Sequence, residues 1–377
     1  MKREGYLYYN GKMARAIHQF LTGFAYGDAI SDYAIEIQKL IRKRGNSSEI
    51  FCEYLDSRYK DRAYKYPYYF DFRHDDDINI FHYSIGSAIV PFVYEEVHNI
   101  LLIYHNITPH QYFKFINPHV YKECLSGRRW LGLFKDKALR ALADSEFNRK
   151  ELEEAGYGNT HVVPIVIDYR KFDRNSSAAV YKQFHDSKIN WLYVGRVIPN
   201  KKIEDLLVAF HAYQKYFNEQ SRLVIVGGYK GFERYYYSLT ELIEKLRSKD
   251  VIFTAHVPTS FLTALFKVSH LFFMLSEHEG FNVPLLEAMY CRIPIIAYNS
   301  GAIPSTLKES GVLINEKNPV KIAAMADALL NNKSLKDTII AQQERVLHEY
   351  SQINFENMFM EHLEQAIHDA SPTTDKA

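Results

Sequence analysis

Apolar β-rich runs alternate with helical periodicities along most of the chain, the arrangement expected when parallel strands are joined by crossover helices. In the first half the runs predict strands near 14–21, 49–52, 78–82, 100–105 and 139–143. A helix after the first strand carries apolar positions at Ile30, Ala34, Ile37 and Ile41 and stops at Gly45, a favourable helix-end residue. In the second half strands are expected near 191–194, 223–226, 251–254, 271–275, 293–297 and 312–314. Ile203, Leu206, Leu207, Phe210, Tyr213 and Phe217 form the apolar stripe of a helix between the first two of these. From Pro319 the pattern is helical to about His368, and the last residues have the polar composition of a frayed end. The sum is an α/β chain with two doubly wound domains.

The two series are separated by a stretch of charges and serines with weak periodicity, which reads as a linker over 169–187. The expected division is 1–168, the linker, 188–345, and a C-terminal helix with its tail over 346–377, packing back on the first domain. Two doubly wound sheets would bring their strand C-terminal ends around a shared cleft, where open α/β sheets bind ligands.

Composition changes this picture mainly by exclusion. The chain has 377 residues, with 46 basic and 45 acidic side chains, so it has no overall field favouring a nucleic-acid backbone. Cys52, Cys124 and Cys291 are far apart and lack zinc-ligand or disulfide-framework spacing, which points to a reducing, cytoplasmic setting. No window approaches the apolar length of a membrane span, so contact with a membrane, at its inner face, is expected only as a peripheral one. The 16 histidines show no H-E-x-x-H spacing, and the run His74-Asp75-Asp76-Asp77 sits in a polar loop; no metal site is expected.

The most informative stretch is SEHEGFNVPLLEAM, 276–289, between an apolar strand and a helix starting at Pro284. Gly280 allows close backbone approach, and the amides of Phe281, Asn282 and Val283 would lie at a helix N-terminus that attracts anions. Glu279 and Glu287 flank that loop and could each accept several hydroxyl hydrogen bonds, although Glu287 also suits the first helical turn for its charge alone. Upstream, a strand ends at Gly195 and is followed by Arg196, Lys201 and Lys202, which can present positive charge to a diphosphate. Gly227-Gly228 after the next strand is a weaker phosphate-turn signal. In the first half, Gly27 precedes a helix start, His105 ends the strand run ILLIYH, and Ser145 reads as a helix cap.

A Gly-Arg with Lys five residues after the Arg, then Glu-Gly-Phe-x-x-Pro-x-x-Glu-Ala-Met some eighty residues on, resembles glycosyltransferase family four over most of 190–345. Its bacterial mannosyltransferase-like members are also resembled by YGDAISD, FHYSIGS and YHNITP in the first half. The resemblance implies a GT-B fold, with 1–168 as the acceptor-side domain and 188–345 as the nucleotide-sugar-binding domain. It implies retaining, metal-independent transfer of a hexose, with mannose from GDP-mannose as the donor, to a glycan or lipid-linked oligosaccharide in surface polysaccharide (lipopolysaccharide) assembly. By match, Arg196 and Lys201 neutralise the donor diphosphate with help from Gly27 and the 281–283 amides. Glu287 holds the ribose, Glu279 contacts the transferred sugar, and His105 lies beside that sugar. Loop residues around His256 and Pro258 would form the base pocket. Two departures are visible: Lys202 stands where the family has Gly, and Cys291-Arg292 replaces a small-Gly pair. A nucleotide-sugar epimerase on the same fold, or a glycan-binding or scaffold protein without catalysis, is the alternative.

Overall fold

A computed structural model describes residues 8–9, 12–13, 15–174 and 176–370. The chain forms two compact units. The first comprises the described residues up to Ile107, Lys122–Ile167 and those from Ser351 on; the second comprises Thr108–Tyr121 and Asp168–Tyr350.

The first unit is built on a parallel sheet of β1 (Ile17–Phe24), β2 (Ile50–Leu55), β3 (Tyr64–Lys65), β4 (Ile78–Tyr83), β5 (Ile100–Tyr104), β6 (Ala138–Ala143) and β7 (Thr160–Val162). Their spatial order is β3-β2-β1-β4-β5-β6-β7, so the order reverses between β1 and β4. β4 and β5 are buried along their whole length because the sheet is covered on both faces, which is why they read as continuous apolar runs. Helix α1 (Ala29–Lys43) lays Tyr33, Ala34, Ile37, Leu40 and Ile41 on the sheet. Helices α2 (Ile89–Glu96), α3 (Pro118–Phe134) and α4 (Glu146–Glu154) follow, and Ser145 caps α4 by accepting from the Asn148 amide.

The second unit repeats the scheme. Its strands are β8 (Ile189–Val194), β9 (Ser221–Val226), β10 (Val251–Ala255), β11 (Leu271–Met274), β12 (Ile295–Tyr298) and β13 (Val312–Ile314), all parallel, in the order β10-β9-β8-β11-β12-β13. The reversal lies between β8 and β11, the topological switch point at which such sheets bind ligands.

Three expectations need correction. The first strand runs three residues later than its apolar start suggested, because Thr22-Gly23 continues the strand instead of breaking it. The stretch 169–187 is not a linker: α5 (Arg170–Arg174) and α6 (Ala178–Phe184) fold into the second unit and bury Phe172, Val180 and Phe184. Helices this short show too few turns for periodicity to register. The segment 108–121 also belongs to the second unit, although first-unit residues flank it on both sides.

Later helices include α7 (Ile203–Tyr216), α8 (Glu233–Leu246), α9 (Thr259–Val268), α10 (Val283–Tyr290), α11 (Ile303–Leu307), α12 (Pro319–Asn331) and α13 (Lys333–Glu349). The last, α14 (Gln352–Asp369), packs in the first unit, where Phe355 meets Tyr33 with ring centroids 5.5 Å apart. Among the described residues no helix is long and apolar enough to cross a membrane.

Candidate functional site

In the second unit the sequence-selected residues converge on the C-terminal ends of β8 and β11. Lys201 ends a 3₁₀ turn, Pro199–Lys201, and its Nζ lies 2.7 Å from each carboxylate oxygen of Glu279. The Glu279 side chain is only 8% exposed, so the lysine supplies the countercharge that a buried carboxylate requires. Asn200, buried and not singled out from sequence, joins the two loops: its Nδ2 donates to the His278 carbonyl, and its own carbonyl accepts from the Glu277 amide. Arg196 is exposed, with its guanidinium 5.4 Å from the centre of the Phe232 ring.

Two backbone devices hold Glu279 in place. The Ala302 amide donates to the Glu279 carbonyl at 2.9 Å. Gly301 adopts φ 53°, and a Cβ there would fall 2.5 Å from that same carbonyl oxygen. Gly227, read above as a weak phosphate-turn signal, is required by packing instead: a Cβ would lie 1.9 Å from the Gly195 carbonyl oxygen.

The two helix N-termini proposed as phosphate cradles differ in kind. At α1, behind Gly27, the Asp28 carboxylate accepts from the Ser31 amide at 2.9 Å and from the Ser31 hydroxyl at 2.8 Å. A negative group already occupies the positive end of that helix, so Gly27 does not open an anion site. At α10, Asn282 takes a left-handed conformation (φ 79°) and gives no side-chain cap. Its amide is buried, with neither Nδ2 nor Oδ1 hydrogen-bonded. The amides of Phe281, Asn282 and Val283 thus begin an uncapped helix, the geometry that favours an anion.

Glu287, buried on α10, accepts from Lys171 Nζ at 2.6 Å. Lys171 escaped sequence reading because it lies in the stretch taken as a linker. A charged cluster surrounds the same sheet end: Lys317 donates to Asp205 at 2.8 Å and to Glu277 at 3.2 Å, and Tyr112 donates to Glu277 at 3.3 Å. Burial and the Glu277 carboxylate push the Tyr112 hydroxyl up to about 12.

His105 sits in the first unit and does not do what was expected of it. Its Nδ1 is 2.8 Å from Asp144 Oδ2 and its Nε2 is 2.9 Å from His82 Nδ1, while His82 Nε2 is 2.9 Å from Gln19 Oε1. Gln19 Nε2 donates to the Ala34 carbonyl, which orients the amide so that Oε1 accepts from His82. His82 therefore accepts at Nδ1 from His105, and one proton remains between His105 and Asp144. Burial, then the neighbouring His105, hold His82 far below the usual histidine range; burial raises Asp144, with His105 opposing. With both ring nitrogens engaged and the side chain 1% exposed, His105 has no nitrogen left for a sugar hydroxyl. In the run His74-Asp75-Asp76-Asp77, Asp77 turns inward, accepting from the His74 amide at 2.7 Å.

Residues 179–346 match the family model described as glycosyl transferases group 1. The matched residues all lie in the second unit. The chain is 28% identical over 167 residues to O-antigen chain mannosyltransferase B of Escherichia coli, covering 44% of this chain and 42% of that protein. It is 26% identical over 175 residues to N-acetyl-alpha-D-glucosaminyl L-malate synthase of Bacillus anthracis, covering 45% and 44%. The chain thus spans less than half the length of these two curated relatives. Whole-chain likeness is seen in fold: sucrose-phosphate synthase of Thermosynechococcus elongatus gives a TM-score of 0.75 at 16% identity, covering 95% of this chain and 100% of that one. Anabaena HepE in complex with UDP and glucose gives 0.72 at 15%, covering 93% and 100%. The fold is GT-B, two parallel-sheet Rossmann-like units with flanking helices.

Proposed function

We propose that this chain is a retaining glycosyltransferase that moves a hexose from a sugar nucleotide to a glycan or lipid-linked oligosaccharide in surface polysaccharide assembly. The observation that carries this reading is the Lys201–Glu279 pair beside the uncapped N-terminus of α10, at the switch point of the second unit. Breaking the bond from the anomeric carbon to a diphosphate puts negative charge on the leaving group. Arg196, Lys201 and the amides of Phe281, Asn282 and Val283 would meet that charge with fixed donors. Removing one such preorganised donor typically costs about 2.7–4 kcal/mol of barrier lowering. Because these donors already supply positive potential, transfer is proposed to proceed without metal.

Glu287 would accept from the ribose hydroxyls and Glu279 from the hydroxyls of the transferred sugar. Lys201 is shared in this scheme: it meets the diphosphate and holds the Glu279 carboxylate in place. The proposed donor is GDP-mannose, supported by the likeness to a protein named for mannosyl transfer to O-antigen. The UDP in Anabaena HepE keeps uridine nucleotides in the test.

The test is a thermal-shift panel with GDP, UDP, dTDP and ADP, each in EDTA and in Mg²⁺, because a ligand that binds only the folded state raises its stability by mass action. A shift with one nucleotide that persists in EDTA supports the reading and names the donor class. Incubating the matching sugar nucleotide with an acceptor and analysing the anomeric configuration of the product then tests retention and separates transfer from epimerisation. No shift with any of the four would overturn the reading.

A further inference from the structure

We infer that Lys171 is a positioning residue of the ribose subsite, fixing Glu287 so that its carboxylate discriminates ribose from deoxyribose; this rests on the reading that Glu287 holds the ribose. Lys171 Nζ meets Glu287 Oε1 at 2.6 Å, and the two side chains are 29% and 6% exposed. A carboxylate this deep in the protein needs a bound countercharge, and Lys171 provides it. The contact engages Oε1 and leaves Oε2 as the acceptor for vicinal hydroxyls.

The chain around Lys171 is held from both sides. Tyr169, two residues before it, stacks on Tyr290 of α10 with centroids 4.8 Å apart and planes at 12°. Phe172, the next residue, packs edge-on against Phe266 of α9 at 5.4 Å. The Tyr290 hydroxyl donates to Asp173 at 2.9 Å. Burial and then the Glu287 charge raise the Tyr169 hydroxyl, which is buried and makes no hydrogen bond. These contacts pin the segment from Tyr169 to Asp173 to α9 and α10, and the Lys171 ammonium within it meets the Glu287 carboxylate. A solvated lysine on a connecting segment would have no need of that framework.

A carboxylate held in one rotamer rewards a ligand hydroxyl; one that swings does not. The discriminating quantity is therefore the affinity ratio between GDP and 2′-deoxyGDP, with UDP and 2′-deoxyUDP run in parallel. Hydrogen bonds to charged groups predict that wild type prefers the ribonucleotide by at least about tenfold. Lys171→Met, which keeps the apolar stem, should bring the ratio below about threefold by weakening the ribonucleotide alone, and Lys171→Arg should restore most of it. Glu287→Gln gives the reference for a subsite without charge. An unchanged ratio in Lys171→Met, or an equal loss for ribo- and deoxynucleotide, would overturn the inference. So would a wild type that binds both sugars equally. A wild type that binds none of the four overturns the donor-binding reading itself.

Discussion

The Lys201 ammonium bridges both carboxylate oxygens of Glu279, so each residue is the other's partner before any ligand arrives. Lys201→Ala should leave Glu279 buried without its countercharge, lowering stability by about 1–3 kcal/mol and transfer by at least about a hundredfold. Urea unfolding and single-turnover kinetics measure the two losses. Adding Glu279→Gln should restore stability but not transfer, and restoration of both would sink the assigned roles.

Gly301→Ala tests the backbone lock on Glu279. The added Cβ meets the Glu279 carbonyl oxygen at a φ that alanine resists, so a stability loss of at least about 2 kcal/mol is expected. Nucleotide affinity should fall with it, measured by titration at a temperature where the variant is folded. A variant as stable as wild type would show that the loop relaxes freely.

The two departures from the family pattern become intelligible as backbone positions. Lys202 has φ 51° and Arg292 φ 58°, both left-handed, where glycine is the unstrained choice. Lys202→Gly and Arg292→Gly should each stabilise by roughly 0.5–1 kcal/mol, partly offset for Lys202 by its contacts with Glu204 and Glu277. Lower urea midpoints in both variants would refute this.

Stability should fall as pH drops through about 6.5, the ordinary histidine value. Burial lowers His82, His161, His270 and His362, so these fold neutral while the unfolded chain takes up protons below that pH. Such a depressed group gives stability that is complete above its unfolded pKa and lost on acidification. For fully buried His82 the slope is up to about 1.4 kcal/mol per pH unit. Asp144, raised by burial, has the opposite sign and offsets one histidine below its folded pKa. A urea midpoint at pH 5.5 equal to or above that at 7.5 would contradict the balance, and His82→Gln should flatten the difference.

Strand runs such as 100–104 and 223–226 were legible because parallel strands covered on both faces must be apolar throughout. The edge strands Tyr64–Lys65 and Thr160–Val162 were not, since two or three residues carry no periodicity. Arg196, Lys201, Glu279 and Glu287 could be picked out because their spacing is carried by two motifs that follow β8 and β11, neighbours in the sheet. Gly301, Asn200 and Lys171 could not, because their importance comes from a neighbour distant in sequence. His105 shows the converse: a histidine at a strand end looks available until the side chains of His82 and Asp144 engage both of its ring nitrogens.

The interleaving of the two units bears on how the protein can be made in pieces. The chain enters the second unit at Thr108, leaves it at Lys122, returns at Asp168 and departs again at Ser351. A fragment cut at 168 and 350 would carry the sheet of the second unit but lose Tyr112 from Glu277 and Phe113 from Phe232. The piece before 168, taken alone, would lack α14, and with it the Phe355 ring packed on Tyr33. Neither unit is a contiguous cassette, so exchanging the second one means exchanging two segments, Thr108–Tyr121 and Asp168–Tyr350, together.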